Sequence, residues 1–126
     1  MKEIRGVYIS TDKAEIRTIE DELQAYYDLL GCDIVEAPWI SIGGNDDLCV
    51  VCDEEALCRS PVPACSVCVR ESDGTLRTAI MGPCFVVGLD EDGEWCSLTS
   101  EEANAVLGAV TTDSSGNHIL VAEGWA

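Results

Sequence analysis

Asp47-Leu48-Cys49-Val50-Val51-Cys52-Asp53 is the stretch on which the fold turns, because two incompatible structures compete for it. Cys49-Val50-Val51-Cys52 and Cys65-Ser66-Val67-Cys68 are C-x-x-C pairs with twelve residues between them. In that form Cys49, Cys52, Cys65 and Cys68 resemble the ligands of a four-thiolate zinc site. A chelating C-x-x-C needs a tight turn, usually on Gly or Pro, whereas Val-Val inside Leu48–Cys52 favours an extended strand. On a strand, residues three apart project from opposite faces, so Cys49 and Cys52 could not grip one ion. The expectation is a strand, with no metal and no cofactor.

The other cysteines follow from that choice. The chain holds eight: Cys32, Cys49, Cys52, Cys58, Cys65, Cys68, Cys84 and Cys96. Met1-Lys2-Glu3-Ile4-Arg5 carries an acid, and the chain turns polar by Ser10, unlike a secretory signal. The expected address is the cytoplasm, a reducing compartment where disulfides are rare. Free Cys behaves as a small hydrophobe, and Cys84-Phe85-Val86-Val87 and Trp95-Cys96-Ser97-Leu98 are apolar settings. Most of these thiols are expected to fill core space.

Outward from Asp47–Cys52 the pattern is of strands joined by turns. Ile4–Ser10 and Ala14–Ile19 read as an opening hairpin about Thr11-Asp12-Lys13. A helix follows at about 20–30, with Thr18 as its cap, acids in its first turn, Ile19, Leu23, Tyr26, Tyr27 and Leu30 on one face, and Gly31 as its stop. Cys32–Ala37 reads as a strand ended by Pro38, and Trp39–Asp47, with Gly43-Gly44-Asn45, as a loop or wide turn. Cys65–Val69 and Thr75–Met81 flank a Ser72-Asp73-Gly74 turn. Phe85–Leu89 and Glu94–Leu98 flank Asp90-Glu91-Asp92-Gly93. Thr99 and Glu102 form a capping box that opens a second helix at about 100–108. His118–Ala122 is a last strand. The fold class is α+β, a mainly antiparallel sheet with two helices. The chain reads as one domain, 1–126, with 111–126 as a loosely attached C-terminal extension.

Charge bounds the function. Seven Lys and Arg stand against 24 Asp and Glu, a net charge of -17, and every basic residue lies at or before Arg77. Such a surface repels phosphate backbones and anionic lipid, so neither nucleic acid nor membrane is an expected direct partner. No apolar run of spanning length exists. A globule of this size is about 35 Å across, and a duplex of that length carries about 20 phosphates. The acidity can therefore imitate nucleic acid toward a basic protein, provided most of it shares one face; otherwise it serves solubility.

No catalytic motif is present. His118, the one histidine, could serve a cysteine as base, but its turn-rich surroundings favour a surface role. Asp90–Glu94 lacks the alternating ligands of a calcium loop, and Gly43-Gly44 is followed by no Lys-Ser or Lys-Thr. The expected protein is not an enzyme. Its candidate contacts with a basic protein are the acids at strand turns, Asp46, Asp47, Asp53, Glu54, Glu55, Asp90, Glu91, Asp92 and Glu94, with Trp39 as an exposed aromatic anchor. Two readings compete with this: a structural or regulatory module whose acidity serves solubility, and a small zinc-binding or cysteine-dependent enzyme.

Several segments together resemble a known family. Leu23-Gln24 and Leu30-Gly31 leading to Ile34-Val35-Glu36 are similar to an LQ…VGGYIE segment of the bacterial and phage family catalogued as domain of unknown function 3846. The similarity continues through Asp47–Glu55, Ile80–Gly88 and Ser97–Glu102, in order, over roughly residues 4 to 107. Family members often carry a Pro-Pro-Asn-Arg-like stretch where this chain has Pro61-Val62-Pro63-Ala64-Cys65, so any role of that polar pair is absent or moved here. The resemblance implies a setting among phages, plasmids and other mobile elements, and no activity.

Overall fold

The computed structural model describes residues 2–125. It runs β1 (Glu3–Ile9), β2 (Ala14–Glu20), α1 (Leu23–Leu30), β3 (Val35–Glu36), β4 (Trp39–Ile42), β5 (Asn45–Asp53), a 3-10 turn (Ala56–Cys58), β6 (Cys65–Arg70) and β7 (Leu76–Met81). It continues through β8 (Cys84–Leu89), β9 (Trp95–Cys96), α2 (Ser100–Gly108), β10 (Val110–Thr112), β11 (His118–Ala122) and β12 (Gly124–Trp125). The class is α+β, as expected: two helices on sheets that are antiparallel except where β11 runs parallel to β6.

The larger sheet is ordered β12-β4-β5-β8-β1-β2, with β3 added to β5 and β9 to β8. Its central strands are buried on both faces, so β5 is buried continuously from Leu48 to Asp53 and β8 from Cys84 to Gly88. That is why these stretches read as unbroken apolar runs and not as alternating ones. On one face Leu48, Val50, Cys52, Val7 and Val86 pack against Val67, Val69 and Leu120 of the smaller sheet, β10-β11-β6-β7, and against Ala103 and Val106 of α2. On the other face Cys49, Val51, Phe85 and Val87 pack against Tyr26 and Leu30 of α1. The result is three layers, with β5 and β8 in the middle.

Four elements depart from the sequence reading. Thr18 caps nothing: it lies in β2, paired with Arg5, and α1 starts after Glu22 without a side-chain cap. The acidic run Glu20-Asp21-Glu22 imitates a helical first turn, but Ile16 and Ile19 continue β2 along the whole of β1. Trp39–Asp47 is no wide loop. Gly43 and Gly44, at φ of 60° and 83°, make a two-residue reversal between Ile42 and Asn45, the conformation a tight hairpin turn requires. The strand expected at Cys32–Ala37 is only Val35–Glu36. Finally, the segment read as a loose extension is fastened at several points: β11 pairs with β6 and β10, Glu123 N–H donates to the Ser41 carbonyl, and Leu120 and Ala122 are fully buried.

The capping box forms as read. Glu102 N–H donates to Thr99 Oγ1 at 3.1 Å and Thr99 N–H donates to Glu102 Oε1 at 2.9 Å. Gly31, at φ of 67°, ends α1 by donating to the Tyr27 carbonyl. Thr99→Ala leaves the Glu102 amide without its partner. We expect it to lower unfolding free energy by about 1 kcal/mol, read as an earlier urea midpoint with unchanged slope.

Candidate acidic interface

Register places the acids. β5 and β8 are antiparallel with Leu48 opposite Gly88, so Asn45, Asp46 and Asp47 lie beside the end of β8, where the chain reverses through Asp90–Gly93. Asp90 builds that reversal: its carboxylate accepts the N–H of Asp92 and of Glu94, each at 2.9 Å, and its carbonyl accepts from Gly93 at 3.0 Å. Gly93 takes the positive φ, 77°, that the turn needs. Glu91, Asp92 and Glu94 are left exposed with no ion pair recorded among the described residues.

Two further elements join this end of the sheet. The start of α2 brings Glu102, whose second oxygen accepts from Asn45 Nδ2 at 2.9 Å. The chain before α1 brings Asp21, which accepts the Tyr26 phenol at 3.2 Å and lines a shallow depression with Gly93, Glu94 and Trp95. Cys96 registers the convergence. Burial raises its thiol, the carboxylates of Asp90, Glu102 and Asp47 raise it further, and Lys2 opposes them. Arg5, on the neighbouring strand, directs its guanidinium to the Leu98 carbonyl at 2.7 Å. Glu102 itself is held below the usual carboxylate range, first by the Thr99 amide and then by Asn45. Its capping contribution is therefore present above the ordinary Glu value and fades as pH falls through the depressed one.

The structure thus brings together Asp46, Asp47, Asp90, Glu91, Asp92 and Glu94. Asp53, Glu54 and Glu55 lie at the opposite end of β5, about 20 Å away at the rise of a strand. Asp53 departs from its reading as a contact residue: it is 7% exposed and accepts from Arg59 Nε and from the Glu55 amide. Trp39 is 57% exposed on β4, opposite Cys49. Asp21, Asn45 and Glu102 were not among the sequence candidates. The first and last read as helix-start signals, and only the tertiary structure shows that the chain before α1 reaches the β8–β9 turn and that the start of α2 reaches Asn45 and the neighbourhood of Cys96.

Cys49 and Cys52 face opposite sides of β5, one toward α1 and one toward the smaller sheet. Irregular pairing in β6 brings the Cys65 and Cys68 sulfurs to 3.6 Å. Among the described residues no group of three or more His, Cys, Asp or Glu side chains is placed to hold a metal ion. His118 is tied to the β1–β2 turn, its Nδ1 3.0 Å from the Thr11 carbonyl oxygen. Among the described residues no helix is long and apolar enough to cross a membrane.

Burial governs the thiols. Cys32, Cys49, Cys52, Cys68 and Cys84 are buried, and Cys58 is exposed. Desolvation pushes Cys49 and Cys84 up to about 12 and Cys52 higher still. A thiol reagent is expected to modify Cys58 first and to reach Cys49, Cys52 and Cys84 only on unfolding. Thiols raised on folding hold their protons in the native state and lose them in the unfolded one. Their stabilisation is complete below the ordinary value of 9.0 and is lost as pH rises toward about 12. The urea midpoint should fall between about pH 8 and about pH 10.5.

The family model described as Domain of unknown function (DUF3846) matches residues 4–111. No curated protein and no solved structure matches the chain.

Proposed function

The chain belongs to the DUF3846 family, a domain of unknown function, and from that position we propose that it is a non-catalytic cytoplasmic protein that binds a basic surface on another protein. The observation that carries this reading is the gathering of Asp46, Asp47, Glu91, Asp92 and Glu94 at one end of the larger sheet, where Glu102 of α2 binds Asn45. Carboxylates crowded without matched cations are a source of negative potential, and such potential speeds encounter with a positive partner. The acids split between the two ends of β5. That favours a local patch over imitation of a whole duplex segment, which needs most of the charge on one face. A basic, nucleic-acid-binding surface of a host protein suits both the patch and the mobile-element setting implied by the family resemblance.

Pull-down from a bacterial lysate at low and high salt tests this. A partner retained at low salt should be lost at high salt, because exposed charges are screened within about 8 Å at physiological ionic strength. It should also be lost with Glu91→Gln, Asp92→Asn and Glu94→Gln together, substitutions that leave the Asp90 turn intact. A partner indifferent to both changes would sink the proposal and leave the acidity to solubility.

A further inference from the structure

The smaller sheet has an edge that the acidic patch does not use. β7 pairs with β6 on one side, and among the described residues no strand pairs with its other side. Glu71 N–H donates to the Thr75 carbonyl at 2.8 Å, which sets the alternation of the β6–β7 ladder. Val69 and Arg77 exchange hydrogen bonds, while the backbone groups of Leu76 and Thr78 point away from β6. The other long edge strand, β2, is blunted by alternating charges, with Lys13 and Arg17 both paired to Glu15. β7 carries one charge, Arg77, and that is paired to Glu71 at the hairpin end.

Alongside the outer edge of β7 runs a cleft of about 160 Å³. Thr78, Ile80 and Met81 form one wall, and Glu36, Glu54 and Leu57 lie on the other. Leu57 is 73% exposed, an apolar surface next to unpaired backbone. Glu36 and Glu54 are exposed, whereas the neighbouring Asp53 is already neutralised by Arg59.

We propose that the outer edge of β7 docks an extended segment of a partner protein, added as a fifth strand, whose Lys or Arg side chains reach Glu36 and Glu54 while an apolar side chain covers Leu57. Backbone hydrogen bonds to Leu76 and Thr78 supply affinity, and the cleft supplies selection for alternate side chains. A basic occupant fits better than a second copy of this chain: edge-to-edge pairing of two such clefts would bring like carboxylates together in a molecule of net charge -17. The cleft that takes the basic side chains lies at the far end of β5 from the acidic patch, and the proposal does not depend on that patch's being functional.

The test uses the whole chain and a labelled peptide of about eight residues alternating Lys and Val. Binding is followed by fluorescence anisotropy and by amide shifts in the NMR spectrum. The largest shifts should fall at Leu76 and Thr78. Thr78→Pro removes an outward donor that β6 does not use and should weaken binding about tenfold or more. Methylating alternate peptide nitrogens should do the same without altering the protein, so loss of binding by unfolding is separable. Glu36→Gln with Glu54→Gln should weaken binding and flatten its salt dependence, whereas Glu91→Gln with Asp92→Asn should leave it unchanged. A peptide that shifts only the β8–β9 turn, that binds equally when N-methylated, or that fails to bind would overturn the proposal. So would a concentration-dependent dimer dissolved by Thr78→Pro, which would make the edge a self-interface.

Discussion

Gly6→Val is expected to unfold the protein. A Cβ at position 6 would overlap the Val86 carbonyl oxygen and stand 2.8 Å from Phe85 Cζ, both inside contact distance. The ring could turn aside. The carbonyl could not, because β8 is held between β5 and β1 by pairing on both sides. Even Gly6→Ala must therefore separate the two strands at the middle of the larger sheet. Overpacking usually costs about 1–3 kcal/mol. Here backbone must move as well, so about 3 kcal/mol or more is expected for Ala, and Val adds two methyl groups. Chemical denaturation followed by circular dichroism reads the loss. Gly31→Ala is the informative contrast: nothing lies within 4 Å of its Cβ, and the cost there is only that of an L residue at positive φ, about 1–2 kcal/mol. A Gly6→Ala protein as stable as the parent would show that β1 and β8 do not approach as described.

Phe85→Ala is expected to cost about 3–5 kcal/mol. Phe85 is fully buried, lies across Gly6, and meets Tyr26 edge-on with ring centres 6.1 Å apart. Tyr26 in turn meets Trp95 at 5.0 Å. The ring therefore links β8 to α1 and to β9, the strand leading out of the acidic turn. Its removal leaves a void beneath α1 that helix and sheet can close only by moving together. Besides the lower urea midpoint, near-ultraviolet circular dichroism from Tyr26 and Trp95 should weaken, and amide exchange in α1 should quicken relative to β5. Loss of stability with α1 still fully protected would show that the cluster is not one unit. Combined with Gly6→Ala, Phe85→Ala should relieve the ring contact but not the carbonyl contact, so rescue should be partial.

Some of the molecule was legible in local chemistry. Leu48–Cys52 and Phe85–Leu89 were readable as strands because a central strand buried on both faces leaves a continuous apolar run. Thr99 with Glu102, and Gly31, announced a helix start and a helix end because capping is satisfied within a few residues. The opposed faces of Cys49 and Cys52 followed from strand periodicity alone. Elsewhere local signals misled. Glu20-Asp21-Glu22 looked like a helical first turn, yet pairing with β1 extended β2 to Glu20. Pro38 and Gly43-Gly44 looked like a loop, yet β4 alternates exposed and buried against β5. A polar tail looked loose, yet Leu120 and Ala122 complete the core.

The candidate site divides along the same line. By itself the sequence determined the net charge, the acidic turns at Glu54-Glu55 and Glu91-Asp92, and the burial of most thiols, since these follow from composition and short-range pattern; Asp46, Asp47 and Asp53, read as turn residues, lie within β5. Tertiary structure alone decided which acids meet. The antiparallel register of β5 with β8 sets Asp46 and Asp47 beside Glu91, Asp92 and Glu94, and sends Asp53, Glu54 and Glu55 to the other end of the strand. It also folded Asp21 and Glu102 into the group, buried Asp53 against Arg59 and left the edge of β7 open. Register between strands distant in sequence is fixed by how whole faces pack, and no stretch of a few residues carries that information.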